Sequence, residues 1–276
     1  MPVHPTAVVD PAARIGEGVE IGAHAVVGPD VTLGDRVIVG PNVVVLGRTA
    51  IAQDTRLSPG VVIGEPPQDL SHKGEPTEVV IGARNVLREH VTVNAGTVRS
   101  RGRTVIGDDN FLMVGVHVGH DCIVGNGTVL SNNTLLAGHC VVGDHVVVGG
   151  GAAIVQRVRI GAYAFVSGLS GVTKDVVPYA YVIGHRGRVD SLNLVGLKRR
   201  GFDRAAIRRL LAAYAILFEE GPVFRDRLHR LEREMGEDPL VRRILDFVAE
   251  GEGRPILHPL PKGVADADAE FLEAGL

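Results

Sequence analysis

The chain has 276 residues and a formal net charge of −3, which excludes a broadly basic nucleic-acid surface. Hydrophobic residues make up 45 % and charged residues 22 %, an ordinary globular balance, but 36 glycines and 4 % aromatics suit a narrow, repetitive β structure better than a thick sandwich. No apolar run reaches bilayer length and the start, Met1-Pro2-Val3-His4-Pro5, lacks the features of a signal peptide, so a cytoplasmic protein with no membrane span is expected.

An aliphatic residue stands at every sixth position from Val3 through Val9, Ile15, Ile21, Val27, Leu33, Val39, Val45, Ile51 and Leu57 to Ile63. Glycine follows directly at Gly16, Gly22, Gly28, Gly34, Gly40 and Gly64. The frame returns at Ile81, Leu87 and Val93, slips by one residue, and runs from Ile106 to Val172. Neither a helix nor an ordinary strand has this period. It predicts a parallel β-helix whose triangular coil is three hexapeptides, with the aliphatic residue inward and the glycine easing the turn. The small residue four places on (Ala25, Thr128, Thr134, Ala152, Ser170) fills the remaining space. Residues one coil apart, at a spacing of eighteen, then stack at about 4.8 Å. Polar excursions at 65–80 and 97–104 interrupt the frame and are candidate binding loops.

After Pro178 the pattern turns helical, dividing the chain into a solenoid over 1–180 and a helical unit over 181–276. Asp203 is positioned to cap a helix burying Ile207, Leu210, Leu211, Tyr214 and Leu217. A second begins near Val223, with Phe224, Leu228, Leu231 and Met235 on one side, and a third follows Pro239, with Val241, Ile244, Leu245 and Val248. These helices would cover the open edges of the last coil. Residues 250–276, with three prolines, are expected to be partly disordered.

Histidines cluster at His117, His120, His139 and His145. The one-coil spacing stacks His120, Gly138 and Gln156 in one column and Asp121, His139 and Arg157 in the next, both facing out near a corner; His145 reads as a solvated side chain. A neutral imidazole can take a proton from an attacking hydroxyl or amine near neutral pH, and a bare glycine N–H can stabilise the oxyanion formed from a thioester. Asp121 can orient His120. Cys122 and Cys140, also one coil apart, read as reduced core residues.

The strings Gly119-His120-Asp121-Cys122 and Asn132-Asn133-Thr134-Leu135-Leu136-Ala137-Gly138-His139 resemble the UDP-N-acetylglucosamine O-acyltransferases of lipid A biosynthesis. So do Gly64-Glu65-Pro66-Pro67-Gln68-Asp69-Leu70, Gly74-Glu75-Pro76-Thr77 and Gly196-Leu197-Lys198-Arg199-Arg200-Gly201-Phe202. The resemblance implies a left-handed helix, a homotrimer with active sites between subunits, an acyl-carrier-protein thioester as donor and a UDP-sugar as acceptor. It makes His120 the general base and Gly138 the oxyanion donor. Asp69, His117, His139 and Gln156 would contact substrates, Asn193, Arg199 and Arg200 would hold the nucleotide sugar, and Gly168 would set acyl length. No cofactor or metal is implied.

The chain departs from the family pattern at Ser71, Val155, Arg186 and Val195, which alters the sugar-nucleotide pocket and leaves N-acylation of a 3-amino sugar as an alternative. A zinc-dependent carbonic anhydrase on the same solenoid would need a histidine pair separated by four residues. The pairs His117/His120 and His139/His145 have two and five between them.

Overall fold

A computed structural model describes residues 3–261. Short strands stack into three parallel sheets, which form the faces of a triangular prism. The first face runs from Val8–Val9 to Gly171–Val172, the second from Arg14–Ile15 to Arg159–Ile160, and the third from Glu20–Ile21 to Ala180–Ile183. Each coil visits them in that order. Strand partners are three hexapeptides apart through most of the prism, as in Val26↔Val44 and Leu135↔Ala153. Inward residues such as Ile21, Leu57, Leu87, Leu112 and Leu136 are buried along the axis, whereas Val3 and Ile15 at the open first coil are exposed. Burying each such side chain stabilises the fold by about 1.5–3 kcal/mol.

Two coils are longer than the rest. Ile51 pairs with Ile81, so the 65–80 excursion lengthens its coil by twelve positions. Twelve is a multiple of six, which is why the hexad phase passes through it unchanged. Ile81 pairs with Ile106, so the second excursion lengthens the next coil by seven, and the frame slips by one. Both loops leave a first-face strand and re-enter on the second face, so they project from the same corner of the prism.

Of the six glycines that follow inward residues from Val3 to Ile63, Gly64 alone takes a left-handed φ, +86°, and the other five do not make the turn. At Gly16 and Gly22 φ lies outside the left-handed region; instead, a Cβ would come within 2.7 Å of the backbone nitrogens of Asp35 and Pro41 in the next coil. These glycines let coils approach. The turn itself is made three places after the inward residue, where φ is positive at Arg36, Asn42, Asp121, His139 and Arg157. Asn and Asp tolerate that region best among side-chain-bearing residues.

Residues 180–183 continue the third sheet and residues 188–192 add an antiparallel edge strand, so sheet persists past residue 180. The helices are α1 (Leu194–Arg199), α2 (Arg204–Leu217), α3 (Phe224–Met235) and α4 (Pro239–Ala249). Asp203 caps α2 by accepting from the Ala206 N–H, and Asp238 caps α4 ahead of Pro239. The buried stripe of α2 is Ile207, Leu210, Ala213, Tyr214 and Leu217, whereas Leu211 is 47 % exposed. Leu211 is displaced to the edge because the i, i+3, i+7 row centred on Leu210 faces the solenoid. Tyr214 donates its hydroxyl to the Pro178 carbonyl at 2.6 Å and ties α2 to the last coil. Residues 254–257 return to that coil, where Arg159 and Arg254 both bond the buried Asp175 carboxylate. The remainder of the tail expected to be disordered, 262–276, lies outside the described residues. No helix among the described residues is long and apolar enough to cross a membrane.

Candidate active site

The corner between the first and second faces holds His120, Asp121, Gly138, His139 and Gln156. Backbone bonds from His139 N–H to the His120 carbonyl and from Arg157 N–H to the Gly138 carbonyl stack His120, Gly138 and Gln156 as the one-coil spacing requires. His120 stands at the corner and borders an open cavity as expected, but it is covered: it is only 5 % exposed, and Asp121 is fully buried. The cause is the 97–104 loop, which folds over the corner. The Thr97 hydroxyl and N–H donate to the Asp121 carboxylate at 2.7 and 3.1 Å, the Arg101 N–H donates at 3.1 Å, and Ser100 bonds His139 at 3.1 Å.

His120 Nδ1 lies 2.9 Å from Asp121 Oδ2. An ionised carboxylate only accepts, so Nδ1 carries a proton, and in the neutral ring Nε2 is the nitrogen with the free lone pair. Burial alone would push the Asp121 carboxyl up; hydrogen bonds from His120 and Thr97 outweigh it and hold the group below the usual carboxylate range. His139 packs edge-on against His120 with ring centroids 4.8 Å apart. Burial lowers the pKa of His139, with Arg157, His120 and Arg101 repelling its charged form against the pull of Asp121. His120, Asp121 and His139 offer three donor atoms within 4.8 Å, but the hydrogen bonds above already engage them.

A cavity of about 390 Å³ opens on Nε2, lined by Gln68, His117, His120, Leu135, Ala137, Gly138, Ala153, Ile154, Val155 and Gln156. Its polar side holds the imidazoles and the glutamines; its other side is apolar, with Leu135 and Val155 each 48 % exposed. The Gly138 N–H makes no hydrogen bond among the described residues and so remains available. His117 bonds the Thr92 hydroxyl at 2.8 Å, and burial lowers its pKa, helped by His120. Asp69 sits on the 65–80 loop, where the Ser71 N–H bonds its carboxylate at 2.8 Å and lowers its pKa, with His120 adding to the effect. His139 does not line the cavity. His145 is not a solvated side chain either: it packs on Tyr163 with ring centroids 5.1 Å apart. Cys122 and Cys140 are free and buried.

Residues 175–257 match the family described as UDP N-acetylglucosamine O-acyltransferase, domain 2, and residues 12–47 and 103–138 match the bacterial transferase hexapeptide. A Rhizobium johnstonii relative named as an acyl-(acyl-carrier-protein)–UDP-N-acetylglucosamine O-acyltransferase is 43 % identical over 263 residues, covering 93 % of this chain and 94 % of its own. One of the same name from an Anaeromyxobacter species is 46 % identical over 248 residues, covering 90 % and 96 %. The solved UDP-N-acetylglucosamine acyltransferase of Campylobacter jejuni is 35 % identical with a TM-score of 0.87, covering 94 % of this chain and 100 % of that one. That of Francisella novicida is 29 % identical with a TM-score of 0.91, covering 96 % and 97 %. This chain belongs to the UDP-N-acetylglucosamine O-acyltransferase family.

As a UDP-N-acetylglucosamine O-acyltransferase family member, its solenoid is a left-handed β-helix. A second cavity, of about 820 Å³, lies on the third face between Phe165, Tyr181 and α1 and contains Asn193, Val195, Arg199 and Arg200. Arg199 and Arg200 are exposed, and Arg200 also reaches the Gly127 carbonyl at 3.3 Å. The Asn193 amide is engaged inside the chain: its oxygen accepts from the Gly196 N–H at 3.0 Å and its nitrogen donates to the Tyr163 carbonyl at 2.9 Å. In a triangular prism the third face lies opposite the His120 corner, and no residue lines both cavities. Gly168 sits at the corner between the third and first faces, across the first face from His120.

Sequence reasoning marked the 97–104 loop for binding but did not identify Thr97, Ser100 and Arg101 as the partners of Asp121 and His139. The signal that could have found them is the seven-residue insertion one coil before His120, at the same corner.

Proposed function

We propose that this chain transfers a 3-hydroxyacyl group from an acyl-carrier-protein thioester to the 3-hydroxyl of UDP-N-acetylglucosamine, the opening step of lipid A biosynthesis. The single observation that carries the mechanism is His120, held through Nδ1 by Asp121, with its free Nε2 beside the unpaired Gly138 N–H. His120 Nε2 takes the proton of the sugar hydroxyl as its oxygen attacks the thioester carbonyl. The Gly138 N–H bonds the developing oxyanion. Collapse expels the carrier thiolate, which takes the proton back from His120 and leaves the ester on the sugar.

Asp69, His117 and Gln156 contact the sugar around the base, and the exposed apolar stripe of Leu135 and Val155 receives the acyl chain, with Gly168 limiting its length. His139 acts behind the base, packed edge-on against the His120 ring and bonded to Ser100. Arg199 and Arg200 pair with the diphosphate, for which guanidinium forks are suited. Since their cavity lies opposite the His120 corner, one chain cannot present both to one sugar nucleotide; a homotrimer, in which a neighbour brings its third face to this corner, resolves that. The enzyme works in the cytoplasm, where carrier and sugar nucleotide are found together.

His120→Ala tests this reading. It should lower kcat/KM by about 10²–10⁴-fold while the circular dichroism of the solenoid is kept. Near-normal turnover would exclude His120 as the base.

A further inference from the structure

The Asp121 carboxylate has no exposure to solvent and is held mostly by the 97–104 loop. Thr97 donates twice, through its hydroxyl to Oδ2 at 2.7 Å and through its N–H to both oxygens at 3.1 Å. The Arg101 N–H donates to Oδ1 at 3.1 Å, and the Arg101 guanidinium donates to the Asp121 carbonyl at 2.8 Å. Oδ2, which takes the Thr97 hydroxyl, is also the oxygen that accepts from His120. A carboxylate turns easily about its terminal torsion, so Asp121 alone would not keep Oδ2 aimed at Nδ1. The charged and titratable groups around the pair are His139, 3.8 Å from Oδ2, Arg101, and, on the His120 side, His117 and Asp69.

We propose that Thr97 is a positioning residue: through Asp121 it aims the His120 ring and limits how strongly Oδ2 pairs with Nδ1. This rests on the reading of His120 as the general base. The physical ground is that two donors compete for one oxygen. While the Thr97 hydroxyl draws on Oδ2, that oxygen stabilises the imidazolium less; without the hydroxyl, Oδ2 turns more of its charge toward Nδ1 and holds the imidazolium more tightly. Thr97 does not line the substrate cavity, and its hydroxyl reaches the His120 ring through Asp121.

Thr97→Val keeps the side-chain shape and the backbone N–H but removes the hydroxyl. We expect kcat to fall on the order of tenfold, as for loss of a buried bond to a charged acceptor. KM for both substrates should stay within about twofold, and the acid limb of the kcat/KM–pH profile should move to higher pH. Thr97→Ser should restore both rate and limb. If Thr97→Val does not fold, Thr97→Ala carries the same expectation, with the melting temperature recorded for each. A reduced kcat with an unmoved acid limb would reduce Thr97 to a structural support and overturn the proposal, and so would unchanged kcat. His120→Ala run alongside separates the two failures. An active His120→Ala enzyme removes the base reading itself, whereas an inactive one with an unmoved Thr97→Val limb removes only the role of Thr97.

Discussion

The imidazole of His120 lies so close over Gly138 that a Cβ on residue 138 would stand 2.5 Å from both Cε1 and Nε2 of the ring. Glycine is required there to clear the ring rather than to permit the backbone angle, since its φ lies outside the left-handed region. Gly138→Ala keeps the backbone N–H and forces the ring aside. We expect kcat/KM to fall at least about 10²-fold with little change in melting temperature. Normal turnover in this variant would mean that the ring position is not needed.

Acid should weaken the fold in two steps. Burial lowers the pKa values of His117, His139 and His258, so the unfolded chain binds these protons more readily than the folded one. Their contribution is complete above the unfolded histidine value, about pH 6.5, and is lost as the pH falls below it toward the folded values. The depressed carboxyls of Asp121 and Asp175 act lower down: their stabilisation is present above about pH 4 and is lost as the pH falls through their folded values. Melting temperatures measured from about pH 7.5 to 5.5 should therefore decline, and His258→Gln should flatten the decline. A flat profile in the parent chain would contradict the assignment.

Asp175 anchors residues 254–257 to the last coil. Its carboxylate is fully buried and takes Arg159 at 2.8 Å and Arg254 at 3.0 Å, while its backbone bonds Pro255 and Leu257. Asp175→Ala would remove the shared carboxylate and leave Arg159 and Arg254 mainly with backbone carbonyls as acceptors, at a cost of about 3 kcal/mol. Arg254→Ala should cost about 1 kcal/mol, because Arg254 is partly solvated and Arg159 stays paired. Urea unfolding of the two variants checks the order; equal midpoints would show that the anchor does not depend on this pair.

Acyl length offers a fourth test. Gly168 is exposed at the far corner of the first face, beside the Gly150 backbone. If the acyl chain crosses that face from His120, a long side chain at 168 blocks its end. Gly168→Met should shift preference toward shorter acyl donors in a competition assay read by mass spectrometry. An unaltered product profile would remove Gly168 from that role.

The fold was legible because its signal repeats. Each inward aliphatic residue carries the same local instruction at every sixth position, and the stacking of His120 on Gly138 and Gln156 follows from counting. The same counting misjudged the glycines. Gly16 and Gly22 looked like turn residues, but the left-handed turns fall at residues such as Arg36 and Asn42, and only the neighbouring coil reveals why Gly16 and Gly22 carry no Cβ.

By itself, the amino-acid sequence determined the period, the triangular coil, three C-terminal helices with the Asp203 cap of α2, and the identity of the His120 column, all of which depend on near neighbours or on a fixed repeat. Only the tertiary structure decided that the 97–104 loop buries His120 and Asp121, that both loops share their corner, and that the Arg199/Arg200 cavity lies on the opposite face. Loop residues lie outside the repeat, so no periodicity states where they land. An insertion of two hexads preserves the phase while adding two sides' worth of chain, so the corner from which a loop leaves is known only once each strand has paired with the coil beside it.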